Sequence, residues 1–403
     1  MSGPVIIIAP QPPKCYKYIM KILAIETSCD ETAISIIEAD GDFSDAKFKI
    51  LANVVHSQIP EHTPYGGVFP AIAKREHSKN LIPVLVNTLQ EAKLHKQTDQ
   101  PLFNDKLQEV EKILEREPEL SQQFLEILPT LEIPDIDAIA VTYGPGLEPA
   151  LWVGINFAKA LSLAWNKPII ATNHMLGHVF STLLNDENPR IEFPAIALLV
   201  SGGHTELILV KDWDTYEKIG QTRDDAVGEA FDKVARLLDL PYPGGPEISR
   251  LAEKLGLRES KFEFPRPMLH SKDFDFSFSG LKTSVLYTVK KLGELTQKDK
   301  EEVAHEFQQA AIDVLVKKTI VAAQKYEAKT IILGGGVAAN SELRKQLTEA
   351  VEKNLPDSTI QIPDIKFTGD NAAMIAIAGY FTYLKNGVTQ EPLKIEADGN
   401  LSF

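Results

Sequence analysis

Two stretches of this chain repeat one theme, an apolar strand, a short turn and a second apolar strand, and that repetition constrains the fold more than any other feature. In the first copy Lys21-Ile22-Leu23-Ala24-Ile25 runs into Glu26-Thr27-Ser28, and residues 33–37 follow as the returning strand. In the second, residues 195–200 run into Ser201-Gly202-Gly203 and return through 205–210. β-branched and aliphatic runs bounded by polar turns predict strands. Residues 50–55 add a third strand to the first copy, and 68–90 read as helix. Residues 138–141 read as a buried strand ending at Gly144-Pro145-Gly146, before a helical pattern that reaches about Trp165. Strand and helix alternate, and 403 residues are enough for two cores. The expectation is a duplicated α/β body with a cleft between its halves. Its parts are a tail over 1–19, a first lobe over 20–193, a second over 194–385 and a C-terminal tail over 386–403. Residues 1–19 read as poorly ordered, or as a start called too early.

Residues 91–130 stand apart. They contain no glycine, and they carry Leu107, Val110, Ile113 and Leu114, then Leu120, Phe124, Ile127 and Leu128, at helical spacing. This predicts an inserted helical hairpin that covers the first lobe rather than binding a partner. Across the chain 44% of residues are apolar and 24% charged, a globular composition. Lysine and arginine (42) against aspartate and glutamate (56) leave a net charge of −14. The whole protein therefore repels polyanions, and a nucleic acid must meet a local basic surface, for which Lys74, Arg75 and Lys79 are candidates, although a solvated helix face is the commoner reading of such a run. Cys15 and Cys29, the only cysteines, exclude a disulfide framework and a metal knuckle, and fit a reducing cytoplasm. No apolar run approaches the roughly 20 residues that span a bilayer, and the Arg-free first twenty residues resemble no presequence.

The chemistry-bearing residues fall into two groups. His174-Met175-Leu176-Gly177-His178 places two imidazoles at i and i+4, about 5–6 Å apart at Cβ, which suits two ligands of one metal ion. Two hydrogen-bonded helix histidines would look the same, and the Glu of a zinc-peptidase H-E-x-x-H motif is missing. A third ligand is needed. Asp370, in Phe367-Thr368-Gly369-Asp370-Asn371, is a candidate, although it is also placed to cap the apolar helix that follows. The second group is three turns at the ends of apolar strands: Glu26 to Thr32, Ser201 to Thr205, and Gly334-Gly335-Gly336. Exposed N–H groups in such turns bind phosphate oxygens, and three of them in a duplicated chain describe a nucleotide site. Neither a Walker A motif nor a Rossmann fingerprint occurs. Asp30 and Glu31 could orient a cation or a reacting amine, or simply form the turn. Asp232, with Gly244-Gly245 beyond it, could contact a ribose, and Cys29 reads as packing.

At this point the motifs coincide with a known set. Residues 20–32 (MKILAIETSCDET), 65–77 (YGGVFPAIAKREH), 144–159 (GPGLEPALWVGINFAK), 173–178 (NHMLGH), 199–207 (LVSGGHTEL), 225–245, 276–283 (FSFSGLKT), 334–340 (GGGVAAN) and 369–374 (GDNAAM) carry the likeness. From Met20 to about Tyr380 the chain resembles the tRNA N6-adenosine threonylcarbamoyltransferase family, bacterial type, formerly catalogued as O-sialoglycoprotein endopeptidases. The resemblance implies a duplicated, two-lobed fold of the actin/hexokinase/sugar-kinase superfamily. It also implies transfer of a threonylcarbamoyl group from threonylcarbamoyl-AMP to the N6 amine of the adenosine beside the anticodon in tRNAs reading ANN codons, with AMP released.

Carried over residue by residue, the resemblance has His174, His178 and Asp370 hold one divalent ion, Fe2+ or Zn2+. Leu199, Val200, Ser201, Gly202, Gly203, Asp232, Gly245, Ser249 and Asn340 would bind the adenylate, and Asp30 and Glu31 would assist the transfer. Expected partners are tRNA, an inactive paralogous subunit and a small ATPase, with no membrane and a cytoplasmic location. Two departures stand out: Ala71 where the family has Glu after the Pro, and the insertion over 91–130. The rival readings are a metallopeptidase acting on sialoglycoproteins, which needs a general base that the HMLGH segment does not supply, and a sugar-kinase or chaperone-type ATPase.

Overall fold

Aliphatic strands that are buried on both faces need helices on both sides, and that requirement organises each half of this protein. The computed structural model describes residues 19–98, 106–185, 190–256 and 260–402, so nearly all of the expected N-terminal tail lies outside the described residues. The first sheet contains β1 (Met20–Glu26), β2 (Glu31–Asp40), β3 (Lys47–Ser57), β4 (Ala138–Gly144) and β5 (Ile169–Asn173), in the order β3-β2-β1-β4-β5. Strands β1 to β3 form an antiparallel meander, while β4 and β5 join β1 in parallel. The second sheet contains β6 (Ala195–Val200), β7 (Thr205–Asp212), β8 (Thr215–Gln221), β9 (Thr330–Gly334) and β10 (Thr359–Gln361), in the order β10-β9-β6-β7-β8. Again three strands meander and two join in parallel. The duplication expected from the strand–turn–strand repeat is therefore present as one topology used twice, a two-lobed α/β fold.

The contacts divide the chain into two compact units. The first takes 19–58, Val68–Phe180 and Asp370–Ser402, and the second takes Ile59–Gly67 and Ser181–Gly369. The division therefore differs from a single cut near residue 193, because the chain returns to the first unit after residue 369. In that unit Leu23 and Ile25 of β1 pack with Leu81 and Leu85 of the helix Pro70–Glu91 and with Leu151 and Ile155 of the helix Glu148–Trp165. The returning helix Ala372–Asn386 lies on β1, β2 and β5. The residues beyond it are tied in: Ile395 is buried, and its carbonyl accepts from the buried Lys159 ammonium at 2.7 Å. In the second unit Ile196, Leu198 and Val200 of β6 share a core with Phe307, Ala311 and Leu315 of the helix Gln297–Lys325.

The region 91–130 contains two helices, Leu107–Ile113 and Pro118–Ile127. Val110, Leu114, Leu120, Phe124 and Leu128 are buried in the first unit's main core, where Phe124 meets Phe157 edge-on at 6.1 Å. Between the helices the buried Glu117 accepts from Asn156 Nδ2 at 3.2 Å and lies 3.6 Å from Lys74 Nζ. No helix among the described residues is long and apolar enough to cross a membrane.

Since Phe124 is fully buried, Phe124→Ala should cost about 3–5 kcal/mol, the usual loss for a large aromatic in a core. Thermal unfolding checks this. A loss under about 1 kcal/mol, typical of surface positions, would mean that the region is only loosely attached.

Candidate metal centre

The helix His174–Phe180 begins directly after β5, and Asn173 fixes where it starts. The Asn173 Oδ1 accepts from the N–H groups of Met175 at 2.8 Å and Leu176 at 3.3 Å, satisfying donors that a helix start leaves open. The imidazoles of His174 and His178 then project one turn apart on one face, with ring centroids 4.7 Å apart. Between them a Cβ on Gly177 would come within 3.0 Å of Met374 and Ile375. Glycine there lets the helix Ala372–Asn386 approach, and with it the residues at its start. Asn371 caps that helix by accepting from the Met374 N–H at 3.1 Å. The capping role open to Asp370 in the sequence is thus filled by its neighbour. The Asp370 carboxylate instead meets the histidines, with Oδ1 at 3.2 Å from His178 Nε2 and 3.5 Å from His174 Nε2. The three donor atoms lie within 4.8 Å of one another, close enough for one ion.

Behind His174 sits Glu26, the last residue of β1 and fully buried. Its Oε2 is 3.1 Å from His174 Nδ1 and accepts from Thr142 Oγ1 at 2.6 Å, while Oε1 accepts from the Ser28 N–H at 2.5 Å. The Ser28 hydroxyl also lies 3.2 Å from Nδ1. A carboxylate only accepts, so Nδ1 carries a proton and Nε2 is the atom presented to Asp370. Burial lowers the His174 pKa, but Asp370 and Glu26 outweigh it and push it up to about 9. Burial likewise lifts the Glu26 carboxyl, yet His174 and Thr142 hold it below the usual range. Two imidazole nitrogens and one carboxylate oxygen, with a second carboxylate fixing one ring, form a donor set suited to Fe2+ or Zn2+.

Glu31, the first residue of β2, lies close enough to this centre to feel the Asp370 charge, and Asp30 precedes it on the β1–β2 turn. Burial first, then the charges of Asp30 and Asp370, push the Glu31 carboxyl well up, and Glu31 shares a hydrogen bond with Asp30. Such a pair can hold a proton close to a reacting group. Burial and the same carboxylates push the Cys29 thiol up as well, so it stays protonated and is a poor nucleophile.

In the second unit the other sequence-singled residues gather around the carboxyl ends of β6 and β9, where open α/β sheets place ligands. Leu199 and Val200 are buried at the end of β6, and Ser201 Oγ accepts from the N–H of His204 at 3.0 Å and of Gly203 at 3.3 Å. Gly335, at φ +89°, brings the β9 turn so close that a Cβ would lie 2.3 Å from the Val200 carbonyl. Asp232 Oδ1 accepts from the Gly244 N–H at 2.7 Å and so sets the start of the helix Gly244–Leu255. Ser249 donates to the Gly245 carbonyl at 3.1 Å and lies 2.9 Å from Asn340 Nδ2, which also reaches Gln308 Oε1 at 2.8 Å. Asn340 Oδ1 caps the helix Ser341–Asn354, so both ends of that amide serve the scaffold. Gly202, Gly203, Gly245 and Gly336 differ from Gly335: a Cβ on any of them would meet nothing within 4 Å. Their open backbone is available to a ligand.

Glu26, Thr142 and Gln308 were not singled out as site residues, because one polar side chain on an apolar element carries no pattern. The candidate basic surface is already engaged with acids. Lys74 faces Glu117, and both Arg75 at 2.9 Å and Lys79 at 3.4 Å pair with Glu76.

Comparison with known proteins follows this geometry. Residues 49–99 and 118–377 match the family model described as TsaD, tRNA N6-adenosine threonylcarbamoyltransferase, leaving 100–117 in the helical region unmatched. Proteins bearing that name in Thermosipho africanus, Kosmotoga olearia and Burkholderia ambifaria are 47%, 44% and 43% identical, over 95%, 90% and 89% of this chain and 100%, 93% and 91% of theirs. The solved structure of T. kodakarensis HypF is similar in fold (TM-score 0.53, 14% identity), covering 93% of this chain and 49% of that one. A full-length HypF in the phosphate- and nucleotide-bound form is alike to the same degree (TM-score 0.53, 12% identity), covering 94% and 58%.

The Glu26 contact makes a test of the centre. Glu26→Gln should weaken Zn2+ or Fe2+ binding about 10- to 100-fold, the usual effect of losing a carboxylate behind a ligating imidazole, and Asp370→Ala should weaken it further. Competition with a chelator measures both, and wild-type affinity in both variants would contradict the assignment.

Proposed function

Because the chain belongs to the family of tRNA N6-adenosine threonylcarbamoyltransferases, and is therefore a transferase that acts on tRNA, we propose that its donor is threonylcarbamoyl-AMP. The group would pass to the N6 amine of the adenosine next to the anticodon in tRNAs reading ANN codons, and AMP would leave. The convergence of His174, His178 and Asp370 beside the Asp30–Glu31 turn is the observation that carries this reading. A mixed carbamic–phosphoric anhydride is already activated, so the chain has to bind it, orient it and take a proton from the attacking amine. No covalent nucleophile is required, in keeping with the inert Cys29 thiol.

His174, His178 and Asp370 would hold the ion. When bound, a divalent ion there supplies a Lewis-acidic charge for the carbonyl oxygen as it becomes negative. Asp30 and Glu31 would accept the proton that the amine sheds. In the second unit, the turn from Leu199 to Gly203 and the open backbone at Gly245 would take the phosphate and ribose, with Asp232, Ser249 and Asn340 fixing the loops in place. Paired basic residues and a net charge of −14 leave this chain little to attract tRNA alone. We assign that task in part to an inactive paralogous subunit and a small ATPase, and place the activity in the cytoplasm, where tRNA is available.

The test is to incubate the protein with tRNA, threonylcarbamoyl-AMP and those partners and to quantify modified adenosine by mass spectrometry. Modified adenosine should form, and His178→Ala should abolish it. Gly245→Val, whose side chain enters open space in the free protein, should raise the KM for threonylcarbamoyl-AMP about tenfold, one lost close contact of about 1.4 kcal/mol, with little change in stability. No modified adenosine from wild-type protein would refute the reading.

A further inference from the structure

The β1–β2 turn presents three consecutive backbone carbonyls, and each is held by a different element. The Leu147 N–H donates to the Ser28 carbonyl at 2.7 Å, and the Gln58 N–H donates to the Asp30 carbonyl at 2.9 Å. Both are backbone contacts that many sequences could make. The middle carbonyl, that of Cys29, depends on a side chain: His77 Nε2 lies 3.0 Å away. His77 is fully buried on the helix Pro70–Glu91. At its other nitrogen, Nδ1, stand Thr32 Oγ1 at 2.8 Å and Gln58 Nε2 at 3.2 Å. A carbonyl can only accept, so Nε2 must carry a proton, and an amide NH2 can only donate, so Nδ1 must not. The neutral Nε2–H imidazole is the one form that satisfies both.

We propose that His77 is a positioning residue. In its neutral Nε2–H form, selected by Thr32 and Gln58, it clamps the Cys29 carbonyl and so fixes the direction of the Asp30 and Glu31 side chains that follow. In its catalytic consequence this rests on the functional reading above, in which those two carboxyls take the proton from the amine. The clamp itself rests only on geometry. A general base displaced by about 1 Å can cost on the order of a hundredfold in rate. The loss should appear in kcat and not in the KM for the adenylate, because the residues assigned to the adenylate are carried by the second unit, at the end of β6, on the turn after it and at the start of the helix Gly244–Leu255.

His77→Leu removes the donor, whereas His77→Gln places an amide N–H near the position of Nε2. For the leucine variant we expect kcat to fall roughly 10- to 100-fold, with the KM for threonylcarbamoyl-AMP and the bound metal unchanged. Peptides covering residues 26–32 should exchange their amide hydrogens faster. The glutamine variant should recover most of the lost kcat. Wild-type kcat in the leucine variant, or a glutamine variant as impaired as the leucine one, overturns the proposal. If the leucine variant does not fold, the double variant Thr32→Val, Gln58→Leu takes its place, since it frees Nδ1 of both partners while leaving the ring. Its kcat must then fall and its exchange over 26–32 must quicken, as in the leucine variant, and wild-type values for both refute the clamp. If wild-type protein itself forms no modified adenosine, the functional reading fails separately, and amide exchange over 26–32 decides the clamp alone.

Discussion

The contact on which the first unit's site depends is between His174 Nδ1 and the fully buried Glu26, 3.1 Å apart. A carboxylate taken out of water costs several kcal/mol unless its lone pairs are used and an opposite charge or a proton lies close. Glu26 meets that demand by accepting from Thr142, from the Ser28 N–H and from His174. Its position is therefore over-determined, and so is the face of the imidazole it holds. With Nδ1 committed, Nε2 is the only His174 atom left for Asp370, and His178 follows one turn later on the same helix. Asn371 and Gly177 complete the arrangement, the first by taking over the helix cap and the second by letting the two helices approach.

The duplicated topology explains why chemistry collects where it does. In both sheets the central strand, β1 or β6, ends in a turn before an antiparallel partner, and a parallel strand lies on its other side. The two turns have diverged in kind. The β1 turn carries side chains that accept or hold protons: Glu26, Asp30 and Glu31. The β6 turn, Ser201-Gly202-Gly203, carries little beyond backbone N–H groups and one hydroxyl that organises them. One fold plan thus carries a cluster of carboxylates and imidazoles at the strand ends of one unit and a glycine-rich turn with open backbone at the corresponding place in the other.

The sequence was most legible where structure follows from local pattern. Strand β6 was delimited correctly because every residue of it is buried, so the apolar run and the strand coincide. Strand β8 was not noticed, since it alternates and buries only Gly220 fully. The helix after Asn371 was foreseen as a helix, but its return to the first unit depends on contacts with β1, β2 and β5, far away in the sequence, which no window along the chain reports. In the site, the i, i+4 histidines were visible because their spacing is itself the signal. Asp370 was ambiguous for a physical reason: Asp and Asn cap helices equally well, and they stand side by side. Glu26 was illegible as a brace, because a single Glu at a strand end reads as the start of a turn. Asn340 was read through a resemblance as a ligand contact, and the geometry adds a cap and a bridge to Gln308 and Ser249.

X-ray absorption of the metal-loaded protein tests most directly whether three side chains gather one ion. The spectrum of wild-type protein should show two imidazole nitrogens and carboxylate oxygen at about 2.0–2.2 Å, and His174→Ala should lose one imidazole shell. An ion surrounded by oxygen alone, or a spectrum unchanged in His174→Ala, would contradict the account.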